Sequence, residues 1–485
     1  MIQAQLRLLC AAFLPLALSI GCPSDPADDD VTDDTGDDDG SDDGTPGGDV
    51  TPEVLASGGS CSAPSGAGTD HTTGITADET WTAADSPHRI PGDLTIEATV
   101  TIEPCAVVLL GEAVYVEVGS STTVGAIVAH GEVSSSDVRP VRFDRLDDGN
   151  WAQILVGAQG TIDLSVAAVM NGGNAPINVQ GALVLQGAAG GTNLAEVVRN
   201  GTLDRVLVSG STSFGINLDA FAGFTEDSEQ VWIQGCGSED QPYPVLVEPG
   251  VAGTLPAELV VEDNVRDEIL VETLKTSMPD DTFADHGVPY HVRSTINIAP
   301  LADGPPATLT IEPGVTLAFE RETGGGIFVG KSETAAGILV AEGTADAPIV
   351  FTSAQDPAAP GDWRGLYFRY TPTTGNRIAH AQIEYAGGES TYSSFGCGPG
   401  DNDAAIIIEG QGENDAGPDD VFVTDTAFDQ IAGTTVIVSG WTDDAGPDFS
   451  EGNTFGATTP DCKVSRPRRS GAGDVCDGDR DVCWQ

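Results

Sequence analysis

The chain has 485 residues and carries 75 acidic against 20 basic side chains, a formal net charge of −55. Such a surface repels phosphate backbones and anionic lipid heads, which excludes nucleic-acid partners. Aromatic residues make up only 6 % while glycines number 61, a composition suited to many thin stacked strands and too light for a bulky helical core.

In chain order, residues 1–21 read as an export signal. Arg7 precedes the apolar run Leu8 to Ile20, which is shorter than the ~20 residues a transmembrane helix needs. Its ending, Leu18-Ser19-Ile20-Gly21-Cys22, resembles a bacterial lipobox, with Leu18 at −4 and Ser19 at −3. That resemblance implies acylation of Cys22. It also implies a lipid-anchored place in the bacterial cell envelope, at the outer membrane or cell surface, with the membrane as a partner through the lipid. Residues 22–50 are a run of Asp, Gly, Thr, Pro and Ser. They bury too little apolar area to order and repel one another, so they read as a disordered acidic tether. Asp37-Asp38-Asp39-Gly40 and Asp42-Asp43-Gly44 echo calcium loops but lack the Glu that completes an EF-hand.

Export leads to an oxidising compartment, where cysteines pair. Cys476 and Cys483 are close enough to close a small loop, and Cys61 with Cys105 and Cys397 with Cys462 are the further candidate pairs. The spacing does not fix the connectivity, and Cys236 is the candidate for the odd thiol. Residues 51–77 read as a cap over one end of the body, and the cysteine-bearing tail 461–485 as a cap over the other.

The body repeats itself at about 200–210 residues. Asp78-Glu79-Thr80-Trp81 corresponds to Asp280-Asp281-Thr282-Phe283, and Thr99-Val100-Thr101-Ile102-Glu103-Pro104 to Thr308-Leu309-Thr310-Ile311-Glu312-Pro313. Ile127-Val128-Ala129-His130-Gly131 matches Leu339-Val340-Ala341-Glu342-Gly343, and Pro140-Val141-Arg142-Phe143 matches Pro348-Ile349-Val350-Phe351. Gly149-Asn150-Trp151 then answers Gly361-Asp362-Trp363, and Ala175 to Gly181 answers Ala404 to Gly410. Two units follow, residues 78–277 and 278–460. Within each, apolar or Thr-rich runs recur every ~8–12 residues between Gly, Asp, Asn and Pro, an all-β signal.

The stretch Ala307 to Leu317, with Leu339-Val340-Ala341-Glu342-Gly343-Thr344, Pro348 to Ser353 and Gly361 to Phe368, resembles bacterial right-handed parallel β-helix proteins of the pectin lyase-like fold. The resemblance covers residues 81–455 and implies an all-β solenoid built from two duplicated units. In such a coil, Trp151 and Trp363 are expected to pack over a corner.

Fold alone does not decide function. A calcium-dependent lyase needs a carboxylate cluster and a basic residue, and a hydrolase a pair of carboxyl groups; neither motif of this fold stands in the chain. Asp85-Ser86-Pro87-His88 is only a distant echo of an epimerase motif, and the six histidines do not recur between units. Trp363, Tyr367, Tyr370, Glu384, Tyr385 and Tyr392 are the candidates for a sugar-binding platform. Asp477, Asp479 and Asp481, framed by Cys476 and Cys483, are the candidate calcium loop, so calcium is the one cofactor left open. The reading is a monomeric, non-catalytic surface lipoprotein for adhesion, recognition or envelope structure, binding a glycan or another surface protein. A divergent polysaccharide lyase or glycoside hydrolase is the alternative.

Overall fold

Period-two alternation, apolar side chains in and polar ones out, builds the body strand by strand. The structure, a computed structural model, describes residues 49–465 apart from 176–179, 188–196, 274–275, 303, 322–324, 333, 370–373, 390–402, 410–419 and 441–446, together with the strand Cys483–Trp484. The signal and tether, apart from Asp49 and Val50, lie outside the described residues.

The strands stack as a right-handed parallel β-helix, the hand that parallel crossovers take. A 13-stranded sheet from Leu94–Ile96 to Thr454–Phe455 runs through both units as a spine. In the first unit a 12-stranded sheet bends to supply the other two walls. Strands Gly160–Met170 and Val198–Ser209 run unbroken through that bend, at which Val166 and Arg205 take left-handed φ of 49° and 53°. In the second unit, sheets of five and seven strands flank the spine. His380 has φ 48° between Arg377–Ala379 and Ala381–Glu384, so this histidine is a corner residue, the counterpart of Val166. Each such corner costs a non-glycine residue about 1–2 kcal/mol, and the ladders on both sides hold it there.

Like residues stack along the interior. Ile96, Val118, Val156, Leu185, Leu218, Val247, Val271, Val292 and Phe319 form one ladder of register partners. All are buried in a core that runs from Ile75 to Val464, and burial of each side chain contributes about 1.5–3 kcal/mol.

The two units do not stack wall on wall. Leu94–Ile96 belongs to the spine, whereas its counterpart Ile296–Ile298 belongs to the seven-stranded sheet. Val107–Leu110 lies in the 12-stranded sheet, whereas its counterpart Thr316–Phe319 lies in the spine. The second copy is therefore displaced by one wall.

The segment 51–77 divides in two. Thr69–Asp70 pairs with His88–Ile90 and begins the first coil. Before it, Pro52–Ser57 is a short helix, capped by Thr51 and ended by Gly58 at φ 89°. The helix lies on the outer side of the 12-stranded sheet, where Leu55 packs against Val138, Val166, Ala168, Met170 and Leu207. The disulfide Cys61–Cys105 ties the segment to the body. At the other end, Cys483–Trp484 pairs antiparallel with Cys462–Ser465 and covers an edge of the seven-stranded sheet.

Candidate functional site

Two of the platform candidates are built into the protein. Trp363 is 1 % exposed and stacks on Phe319 at 4.3 Å, and its Nε1–H donates to the Glu384 carbonyl at 2.7 Å. Tyr367 is 3 % exposed, on the outer row of the seven-stranded sheet with Ala404, Ile407 and Val438. A sugar platform needs an open ring face, so burial removes Trp363 and Tyr367 from that role. Trp151 repeats the Trp363 arrangement, donating to the Met170 carbonyl at 2.7 Å. Both acceptor carbonyls precede a left-handed residue, Asn171 or Tyr385, so these tryptophans close corners as expected. Tyr385 packs half-buried against the core, and Glu384 Oε2 accepts from Thr352 Oγ1 at 3.5 Å. Tyr370 and Tyr392 lie outside the described residues.

Cys61 and Cys105 are joined as expected, and Cys236 is the buried free thiol, its pKa pushed up by burial to about 12. Cys462 is disulfide-bonded. Cys22, Cys397, Cys476, the side chain of Cys483, and Asp477, Asp479 and Asp481 lie outside the described residues. Among the described residues no group of three or more His, Cys, Asp or Glu is placed to hold a metal ion.

The chemistry that sequence reasoning missed gathers where the units meet. The branch of the 12-stranded sheet that begins at Glu79–Trp81 ends at Ala222–Phe224; the turn Ala252–Thr254 packs beside that last strand, and Asp281–Phe283, the first strand of the five-stranded sheet, packs on the turn. This boundary holds a cleft of about 470 Å³, lined by Val197, Arg199, Gly253, Thr254, Asp280, Asp281, Thr282, Thr308 and Thr310, among others, within the usual range for small-ligand sites. Asp281 stitches the boundary. One carboxylate oxygen accepts from the amides of Gly250 at 2.8 Å and Ala252 at 3.2 Å, the other from Gly253 at 2.8 Å. Burial pushes its carboxyl up to about 6 against the pull of those amides. Gly253 is required here, because a Cβ would sit 2.9 Å from the Thr282 carbonyl.

On the outer face of the spine, at the same coils, His291 joins two units' worth of side chains. Its Nδ1–H donates to Glu268 at 3.0 Å, which leaves Nε2 to accept from the Tyr243 hydroxyl at 3.1 Å. Glu320 lies 3.9 Å from His291 and 3.4 Å from Arg293, and Arg266 and Arg293 sit over the Tyr243 ring at 5.8 and 5.6 Å. Burial opposes the charge on Glu268, but the His291 hydrogen bond and nearby Arg266 hold its carboxyl below the ordinary value; burial raises Tyr243. The chain Tyr–His–Glu has the order of a proton relay. With Tyr243 5 % and His291 4 % exposed, it is closed to a substrate in this conformation.

His71, His88 and His130 are also engaged. His88 Nε2–H donates to the Thr82 carbonyl at 2.9 Å, so His88 Nδ1 accepts from His71 Nε2–H at 3.1 Å. His71 stacks on Trp81 at 4.1 Å, and burial, then His88, lowers its pKa. His88 of the epimerase echo is thus a buried packing residue. His130 Nε2 lies 3.0 Å from the Asp163 carboxylate on the exposed surface.

Residues 278–405 match the family model of a pectate-lyase like beta helix domain. The walls, corners and inward ladders of that segment are those of its fold. Over those residues the chain is similar to a pectate-lyase-like β-helix domain. No curated protein and no solved structure matches the chain significantly. The domain match begins at the junction and covers the five-stranded sheet's first four strands, so the cleft and the Tyr243 network straddle its N-terminal edge. Of these, Asp281 was legible in principle as the counterpart of Glu79. The Pro249-Gly250 and Gly253 interruption between the strands Val245–Val247 and Leu259–Glu262 marks the turn.

Proposed function

We propose that this protein is a non-catalytic β-helix of the bacterial cell envelope, anchored through a lipid on Cys22 and serving recognition at the surface. One observation supports this reading most. The acid–base groups set into the junction are occupied by internal partners: Asp281 by three amides, and His291 by Tyr243 and Glu268. Hydrolysis of a glycosidic bond asks for two carboxyl groups that reach the substrate about 5–10 Å apart, and a lyase asks for an accessible base. The acidic run that follows Cys22 suits a spacer between lipid and body.

The second reading, a divergent polysaccharide lyase or hydrolase, draws on the domain match and on the Tyr243–His291–Glu268 chain, which a rearranged loop would open. The full chain, incubated with a panel of neutral and uronate polysaccharides, separates the two. Unsaturated products or new reducing ends, abolished by His291→Ala, would establish the enzyme. Binding without turnover supports recognition. Release of the protein from membranes by Cys22→Ala tests the anchor, and retention of that variant would remove it.

A further inference from the structure

We infer that the junction cleft is a binding site for a neutral, hydroxyl-rich ligand, a short segment of an uncharged glycan. This rests on the recognition reading above and names its ligand class and its place. The cleft lies where the 12-stranded sheet of the first unit stops and the five-stranded sheet of the second begins, with the turn Ala252–Thr254 between them. Its lining is polar and regular. Thr282 and Thr310 are register partners, Asp280 stands two residues before the first and Thr308 two before the second. Alternation turns all four the same way, a grid about 4.8 Å by 6.7 Å.

The groups of this grid have capacity to spare. The hydroxyls of Thr282, Thr308 and Thr310 make no hydrogen bond within the described protein. Asp280 Oδ1 accepts from the Thr308 amide at 2.8 Å, which leaves Oδ2 for a ligand hydroxyl. Thr254 Oγ1 donates to the Val251 carbonyl at 2.7 Å, which leaves its lone pairs as acceptors. At the rim Arg199 uses one N–H, to the Phe224 carbonyl at 2.9 Å, and pairs with no described carboxylate. Val197 adds an apolar surface for the C–H face of a ring. Hydroxyls that both donate and accept fit this mixture of donors and acceptors. A polyanion does not, because Asp280 stands inside the cleft and the chain carries −55 overall. A metal ion is not favoured, since the remaining ligands are hydroxyls, and Asp281 is saturated by amides.

The test is calorimetric titration of the full chain with glucan, mannan and xylan oligosaccharides, with oligogalacturonate as the charged control. One neutral series is expected to bind, and Thr282→Val with Thr310→Val, which removes two hydroxyls at nearly constant volume, is expected to lower its affinity about 10–30-fold. An unchanged melting temperature shows that the double variant is folded. Binding that survives the double variant, binding of oligogalacturonate alone, or no binding by any of the four would overturn the cleft assignment. Turnover of a bound neutral glycan that the double variant abolishes would instead keep the site and sink the non-catalytic reading.

Discussion

The first strands of the two units occupy the same place in the repeat and live in different surroundings. Asp78 Oδ1 accepts from the Thr99 amide at 2.9 Å, as Asp280 Oδ1 does from Thr308 at 2.8 Å. Trp81 stacks on His88 at 5.3 Å, as Phe283 stacks on Tyr290 at 4.8 Å. The residue between diverges. Glu79, at the start of the stack, is 41 % exposed and accepts from the Trp81 indole at 3.0 Å. Its counterpart Asp281 meets the last turn of the preceding unit and is enclosed by three amides. The local contacts travel with the duplicated sequence. Burial, and the proton affinity that burial sets, belong to the position in the stack.

Breaking that contrast at its strongest point, Asp281→Ala leaves three enclosed amides without an acceptor and is expected to destabilise the protein by about 3–5 kcal/mol. Glu79→Ala is expected to stay within about 1 kcal/mol, and urea denaturation of both variants compares them. Equal losses would show that the junction is no tighter than the open end. Next in size, Cys61→Ser with Cys105→Ser removes a crosslink spanning a sequence separation of 44. The expected cost is about 2–4 kcal/mol. It should also release the helix Pro52–Ser57, seen as faster amide exchange at Leu55.

The pH dependence sharpens the same comparison, because the two first coils have opposite signs. Asp281 is raised from 3.8 to about 6, so the folded state holds its proton more tightly than the unfolded state. Its contribution is full below about 4, falls as pH rises to about 6 and is flat above, at most about 3 kcal/mol. His71 is lowered from 6.5. Its contribution is present above that value and is lost as pH falls below it. In Asp281→Asn the fall between pH 4 and 6 should vanish and the His71 rise remain, read from melting temperatures across that range. Persistence of the fall would assign it to another group. Smallest of all, Trp151→Phe and Trp363→Phe each remove one indole hydrogen bond and are expected to cost about 1 kcal/mol apiece, equal within a few tenths. A clear inequality would show that the two corners are no longer equivalent.

Much of this was readable from residues alone. The alternation in Leu309-Thr310-Ile311 and the pairing of Trp151 with Trp363 located strands and corners, because both depend on near neighbours. The candidate site was much less readable. Trp363 and Tyr367 look like a platform beside Glu384, but the indole turns inward onto Phe319, and Tyr367 is covered on its outer row. Tyr243, Glu268 and His291 carry no common motif; stacking of successive coils is what brings residues 48 apart in the sequence to a 3.1 Å hydrogen bond.

By itself the sequence determined the all-β class, the duplication, the in–out pattern of each strand and the odd number of cysteines, with Cys61–Cys105 and Cys236 as candidates that the structure then joined and left free. These follow from periodicity two, from turn residues and from parity, all of which are local or countable. Tertiary structure alone decided that the second unit sits one wall round from the first, that the turn Ala252–Thr254 lies between the 12-stranded and five-stranded sheets, and that Asp281 is buried where Glu79 is not. The physical reason is cumulative. Which wall a strand joins depends on the summed length of every turn before it, and a side chain's burial depends on the coil beneath it.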